Sequence, residues 1–586
     1  MKTLNKTHIM LSALIALASV IIYIPTLRSG FLWDDIHLVA SPLQIGENPF
    51  AFFFGGGVFY RPLLMLSLTF DYSLWHLNAL GFHLTNILLH TLNSVLVFLV
   101  GLMLMEKNEI SAHSDSEEKS RPGIILPSFL AALLFALHPI HTESVAWISG
   151  RTDILSTLFF LLSFIAYLTY EKDGKTRSLI ISSLFFLFAL FSKENAMSFI
   201  LVVLGYGIIT KMPGKRIMIS LAAFVSVIVI YFFFRQGGVI TMMLASPGSQ
   251  EAFFASGLTV ERIARLLVQG TGYYFEKLIL PFNLSLLPEV PDKSLYVLFF
   301  VLPFVAGGLA YFVGRRLEAF LVTWIIITLL PSLSLLLSRM APLGERYLYL
   351  PSAGFCILLG LLLPCLREKK AVRAAVSLVL IAYSVSSYVR LDAWKNDLAL
   401  WEDTVRKNPI SATARTNYGG ALIEGKDLEK GRRELRIALD QKVSPQQTSS
   451  IYDLLGTVEM KEKNYSEAEK YFGDSLRASS KNASTYNNLG LLYLRMYESA
   501  EVGTSKKEFL DKSVASLEKA LTLSPRFLAP KLNLGLCYYR KGELKKAEGY
   551  LYSVIESDPR SELSMQAFQL LIAIEFAKNR ESRHSS

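Results

Sequence analysis

Apolar runs long enough to cross a bilayer recur through the first two thirds of the chain and stop near Arg390. A spanning helix needs about 20 such residues, because inside lipid every backbone polar group must be satisfied within the segment itself. By that measure about eleven candidate spans lie near residues 8–27, 83–105, 124–140, 153–170, 179–192, 195–210, 217–234, 294–313, 319–337, 350–366 and 374–389. The segment 62–78 is apolar but carries Asp71 and Trp75, which predicts an interfacial or re-entrant helix rather than a full crossing. Hydrophobic residues make up 52% of the chain, more than soluble domains carry. The first apolar run lacks a small-residue cleavage site and reads as a retained helix. The expectation is an all-α chain with a polytopic membrane domain at 1–390 and a second domain at 391–586.

The formal net charge of +10 could point to nucleic acid. The basic residues instead fall in short clusters between apolar runs, which argues for membrane orientation and no nucleic-acid partner. With Lys2 and Lys6 in the cytoplasm, alternate loops carry Lys172, Lys175 and Arg177; Lys211, Lys215 and Arg216; Arg315 and Arg316; and Arg367, Lys369, Lys370 and Arg373. Those are the basic loops expected on the cytoplasmic face. An odd number of spans then puts the C-terminal domain outside. Cys356, Cys365 and Cys537 form neither a disulfide framework nor a metal-ligand spacing.

The opposite loops mix charge, aromatics, Pro and Gly: FLWDD at 31–35, FYRPLL at 59–64, HPIHTESVAWISGRTD at 138–153, FSKEN at 191–195, FRQGG at 234–238, GYYFEKLILP at 272–281 and RMAPLGERYLYLPS at 339–352. Asp34 and Asp35 stand where the first helix emerges into water, a position at which two acids can stay charged and usable. Arg61, Arg151, Lys193, Arg235 and Arg346 oppose the orientation rule. Either they line an electropositive cavity for an anionic lipid-linked group, or they are interface anchors reaching to headgroups.

Beyond Arg390 helical periodicity returns with a repeat of about 34 residues. In the unit from Leu528 to Pro559, Gly535, Tyr538, Gly542, Ala547 and Pro559 hold tetratricopeptide-repeat spacing. Similar units surround Leu455-Gly456 with Tyr465, Ala468 and Phe472, and Leu489-Gly490 with Tyr493, Leu517, Ala520 and Pro525. A degenerate unit surrounds Asn417-Tyr418-Gly419, with Gly431 in place of Ala, and a half unit lies at 394–409. The small residues let paired helices approach closely, and the array makes a concave surface for a protein segment. The competing reading is a spacer or dimerisation module.

Taken together, FLWDD, FYRPLLMLSLTFDYSLWHLNALGFHLTNILLH, ALLFALHPIHTESVAWISGRTDILSTLFFLLSFIAY, FSKEN and LGERYLYLPSAGF, followed by WKNDLALWEDTV and the repeats, resemble one family. The chain is similar to the transmembrane and tetratricopeptide-repeat protein O-mannosyltransferases, and to their bacterial relatives, over nearly its whole length. That resemblance implies a GT-C membrane fold ahead of the α-solenoid, a polyprenyl-phosphate-linked sugar as donor, and no certain cofactor. It implies a protein acceptor met through the repeats. The setting implied is a bacterial inner membrane or its endoplasmic-reticulum equivalent, with the repeats on the periplasmic or lumenal side.

Inverting sugar transfer needs a carboxylate to take the acceptor proton and cations to stabilise the departing lipid phosphate. The resemblance places the base first in the acidic pair, hence Asp34, with Asp35 orienting it or the acceptor; the alternative exchanges the two roles. Arg151 and Arg346 are the foremost phosphate candidates, then Lys193. His138, His141 and Glu143 are candidates for sugar or phosphate, and Arg61 for the same site or for fixing its loop. His-Pro-x-His lacks a full ligand set, which argues against a divalent metal. The alternatives are a membrane-anchored repeat scaffold without chemistry, and a polyprenyl-linked glycan ligase or transporter.

Overall fold

The computed structural model describes residues 6–40, 51–54, 60–112, 123–244, 260–288, 293–338, 343–362, 370–441, 443–501, 504–559 and 561–584. Cys365, Arg367 and Lys369 lie outside them. The regular structure of the described residues is helical throughout. The chain divides into two compact units, Met1–Leu400 and Trp401–Ser586.

In the first unit every expected span falls on a helix. Among the described residues seven helices are long and apolar enough to cross a membrane, including Lys6–Arg28, Ala79–Lys107, Ile148–Asp173 and Arg316–Leu333. An eighth candidate is a pair, Ile125–Leu137 with Pro139–Ala146, bent by 47°. Pro139 follows the bend and offers no N–H to carry the helix on. Thr176–Ser192 and Glu194–Ile209 are apolar but shorter. The breaks at His138 and Lys193 fall within the mixed polar-aromatic segments.

The 62–78 segment contains a short helix, Pro62–Trp75. Leu66, Phe70 and Leu74 face outward from it, while Leu64, Leu68 and Asp71 are buried. That division suits an interfacial helix.

The helix Arg151–Asp173 has 23 residues, roughly 35 Å at the α-helical rise, enough for the hydrocarbon core. At its C-terminal end Glu171 accepts from Lys107 Nζ at 2.5 Å, and the Glu171 carbonyl accepts from Arg216 Nη1 at 2.9 Å. At its N-terminal end Arg151 and Asp153 meet a different set of partners. One helix therefore separates a basic-loop end from the end where the mixed segments gather.

In the second unit four helix pairs follow one another: Ala412–Glu424 with Leu428–Leu439, Pro445–Lys461 with Tyr465–Ala478, Ala483–Ser499 with Thr504–Leu523, and Leu528–Arg540 with Leu544–Ser557. Each pair closes over a glycine. A Cβ on Gly419, Gly456, Gly490 or Gly535 would lie 2.8, 2.6, 2.5 or 2.6 Å from Leu435, Phe472, Leu517 or Leu551, respectively. Gly542 takes a φ of 77° in the turn of its repeat, and Lys426 and Lys463 take 67° in theirs. Hydrogen bonds between repeats add specificity, as from Tyr418 to Glu402, Tyr493 to Glu469 and Tyr538 to Glu518. Asn488 donates to Asp453, and Asn533 to Asn487. A further helix, Glu562–His584, which the repeat spacing does not signal, lays Ala567 and Ile574 on the last pair.

Candidate active site

The acidic pair sits in a tight turn ahead of a short helix, Asp35–Ala40. Asp35 is fully buried. Its Oδ1 accepts from Ser149 N at 2.9 Å and Ser149 Oγ at 2.5 Å, and its Oδ2 from Leu32 N at 3.0 Å. Its carboxyl pKa is pushed up to about 7, first by burial and further by the neighbouring charge of Asp34, against the pull of the Ser149 and Leu32 hydrogen bonds. Asp34 is only half-buried, and its carbonyl accepts from Leu38 N at 3.0 Å. One acid is locked into the fold and the other stands at its edge.

Trp33 precedes them with φ of 52°, a left-handed conformation that bulky side chains rarely adopt. It is held there from three directions. Its indole stacks on Trp147 with centroids 5.4 Å apart and planes 15° from parallel. Its N–H donates to Asp397 Oδ1 at 2.8 Å. Gly30 N, at the start of the turn, donates to Lys395 O at 3.2 Å.

Trp147 leads to the cations. The Arg346 guanidinium lies 5.5 Å from the Trp147 ring and 4.8 Å from the Tyr347 ring. Glu143, fully buried, receives both Arg346 Nη1 and, at 3.0 Å, Arg346 N. Burial works to lower the Arg346 pKa, but the charge and hydrogen bond of Glu143, with Tyr347 and Asp153, together outweigh it and the net shift is upward. Lys193 Nζ lies 5.0 Å from the other contact of Arg346, the Tyr347 ring, and pairs with Asp153 at 2.6 Å. Next along the chain, Glu194 pairs with Arg61 at 3.1 Å. Segments 31–35, 138–153, 193–194 and 345–347, with Arg61, therefore share one polar corner.

Arg151 belongs to the foundation beneath it. Its side chain is wholly buried and pairs with Asp71 at 2.6 Å. Nε donates to Asn86 Oδ1 at 2.7 Å, Nη2 to Phe82 O at 2.8 Å, and Nη1 to Ser67 O and Oγ at 3.4 Å. Four hydrogen bonds and the Asp71 ion pair thus occupy the guanidinium inside the fold.

His138 and His141 are also fully buried. His138 Nε2 lies 3.1 Å from Leu278 O, and Nδ1 is 3.4 Å from Ile140 N. A carbonyl can only accept, so Nε2 carries the proton and Nδ1 receives one. His141 Nε2 faces Ser352 Oγ at 2.8 Å, within an aromatic group that includes Phe135 and Tyr349. Among the described residues no three His, Cys, Asp or Glu side chains are grouped to share a metal ion.

The cations of this region stand in five ion pairs. Arg61, Arg151, Lys193 and Arg346 each have a carboxylate partner, and Arg390 pairs with Glu345 at 3.4 Å. Low-dielectric surroundings demand this, since an uncompensated charge there is costly. The burial of Arg151 and Lys193 also separates these two from headgroup-seeking anchors. Arg235 instead meets Tyr231, donating to its hydroxyl at 3.1 Å. The partners Ser149, Asp71, Asp153, Glu194 and Asp397 escape sequence reasoning. Asp71 alone leaves a signal, as an acid inside an apolar run.

A tetratricopeptide-repeat family model matches residues 506–562. Human Protein O-mannosyl-transferase TMTC4 is 27% identical over 435 residues, which cover 62% of this chain and 56% of that protein. Protein O-mannosyl-transferase Tmtc3 of Drosophila melanogaster is 24% identical over 499 residues, covering 70% and 53%. The chain is a relative of the TMTC proteins. It spans a little over half the length of these TMTC relatives. Together with its apolar helices, the TMTC likeness makes it a membrane protein. Among solved structures, MamA covers 28% of this chain and 87% of its own, at 17% identity and a TM-score of 0.22, a likeness too slight to argue from.

Proposed function

We propose that the chain is a GT-C-type membrane glycosyltransferase. It moves a sugar, mannose by analogy with its relatives' name, from a polyprenyl phosphate to a Ser or Thr hydroxyl of a protein, with inversion, on the extracytoplasmic face. The observation that carries this reading is the shared corner: Asp34 beside Trp33, Trp33 stacked on Trp147, and Trp147 beneath the Arg346 guanidinium. In this reading Asp34, next to the indole pair in the chain, is the proton acceptor, and the guanidinium over Trp147 binds the phosphate.

In the reaction, Asp34 takes the acceptor hydroxyl proton as that oxygen bonds to the sugar C1. The bond from C1 to the phosphate oxygen breaks, and the lipid phosphate leaves with the electron pair. Arg346 and Lys193 face the charge that grows there, each keeping its carboxylate partner as a fixed counterion. Asp35 holds the turn through Ser149. Arg151 supports it from below, while His138, His141 and Glu143 shape the wall, and Arg61 ties the adjoining loop to Glu194. The repeats of the second unit bind the acceptor chain. The aromatic rings offer apolar faces to a sugar ring.

The test is the purified protein in liposomes with candidate polyprenyl-phosphate sugars and extracytoplasmic proteins, read by mass spectrometry of the acceptor. Wild type transfers a hexose. Asp34→Asn inserts and melts normally but transfers about a thousand-fold more slowly, within the range of a lost general base. Full activity in Asp34→Asn removes the assignment. No transfer from any lipid-linked sugar by wild type favours the scaffold reading.

A further inference from the structure

We infer that Asp397 is a positioning residue for Asp34, acting through the backbone of Trp33; this rests on the transferase reading above. The turn that carries the acids is conformationally expensive. A left-handed aromatic residue is strained and persists only where its surroundings over-determine it. On one side, the determinants are Trp147 and Ser149, already part of the corner. On the other they are Lys395 and Asp397, far along the chain. Asp397 Oδ1 accepts from Trp33 N at 2.8 Å across a sequence separation of 364 residues, and Lys395 O accepts from Gly30 N at 3.2 Å.

The Trp33 N–H is the donor immediately before the acidic pair. Left-handed φ turns it out of the local helix-forming direction, and a side-chain carboxylate meets it. The local cap of the 397–407 helix is supplied separately, by Asn396 Oδ1 accepting from Ala399 N at 2.9 Å. Asp397 is therefore free of capping duty at that bond and serves the turn. Trp394, three residues before, is fully buried and anchors the strap, so the acceptor is presented from a fixed base. Loss of the bond leaves the indole stack and Asp35 to hold the turn alone. Displacements of about 1 Å in a reacting group cost up to about a hundred-fold in rate.

The experiment compares Asp397→Ala with Asp397→Asn in full-length protein, with two readouts. The first is transfer kinetics. Asp397→Ala lowers kcat by about ten- to a hundred-fold while KM for the lipid donor stays within about two-fold, because the cations are untouched. Asp397→Asn keeps an acceptor oxygen and recovers most of kcat. The second is the far-ultraviolet exciton couplet of the Trp33–Trp147 stack, assigned by its loss in Trp147→Phe. It weakens in Asp397→Ala and persists in Asp397→Asn, whether or not the protein transfers sugar. Inactive wild type with this couplet pattern sinks the transferase reading and spares the structural role. Unchanged kcat and couplet in Asp397→Ala overturn the inference, as does an Asn variant as impaired as Ala with the couplet intact. Should Asp397→Ala fail to insert, Asp397→Ser, whose oxygen is too short to reach, takes its place with the same expectations.

Discussion

The two units bury their difficult groups by opposite means. The second unit repeats one solution: a glycine on one helix lets a Leu or Phe of its partner approach, in four successive pairs. Each contact joins neighbours in sequence, and each resembles the next. The polar corner of the first unit uses five ion pairs, each joining a different pair of residues far apart in sequence. A repeated contact fails locally. A corner built from single instances fails as a whole, and that is the arrangement a site needs when two groups must keep a fixed separation.

The strongest way to break this contrast is to remove one partner of a corner pair. Glu143→Gln leaves the Arg346 charge without its carboxylate and costs about 3–5 kcal/mol of first-unit stability, seen as a lowered melting transition in detergent. The double change Glu143→Leu with Arg346→Met restores most of that stability and no transfer. Recovery of transfer in the double variant would mean the corner is structural only.

A smaller effect is expected in the repeats. Gly535→Val forces a side chain into Leu551 and costs about 1–3 kcal/mol. Faster amide exchange confined to 528–557 checks it, with transfer from the lipid donor to water unchanged. Gly420→Ala, whose added methyl meets Leu454 at 3.8 Å, is the neutral control.

The smallest effect is a pH dependence. Asp35, with its pKa raised to about 7, binds its proton more tightly folded than unfolded. Its contribution to stability is full below the unfolded carboxyl range and is lost as pH rises through about 7. Asp35→Asn cannot titrate, so its stability relative to wild type improves between about pH 5 and about pH 7, by at most about 1.4 kcal/mol per unit. A pH-independent difference between the two melting curves would place the titration elsewhere.

Sequence disclosed what is periodic or strictly local. The apolar runs gave helices, Gly535 and Gly456 gave close helix pairs, and Asp71 marked a short helix with one buried polar position. It also grouped FLWDD, FSKEN and GERYLY by loop alternation alone. What it could not disclose is pairing. Arg151 and Arg346 look alike as outward-loop arginines, yet the fold buries Arg151 whole among its partners and leaves Arg346 at the rim. Partner choice depends on contacts between distant segments, and no local pattern encodes them. The same holds for Asp34 and Asp35, adjacent in sequence and unlike in burial. The extra helix at Glu562–His584 lacks the glycine and proline punctuation by which the repeats are counted.

The Asp71–Arg151 pair has a consequence for biogenesis. A helix that begins with a guanidinium cannot enter lipid cheaply by itself. Asp71 is synthesised earlier and rides on a short surface helix, so the counterion is already waiting when Arg151 leaves the ribosome. Moving that acid to the C-terminal side of its arginine, by circular permutation, would oblige the nascent chain to shelter a naked cation until its mate arrived.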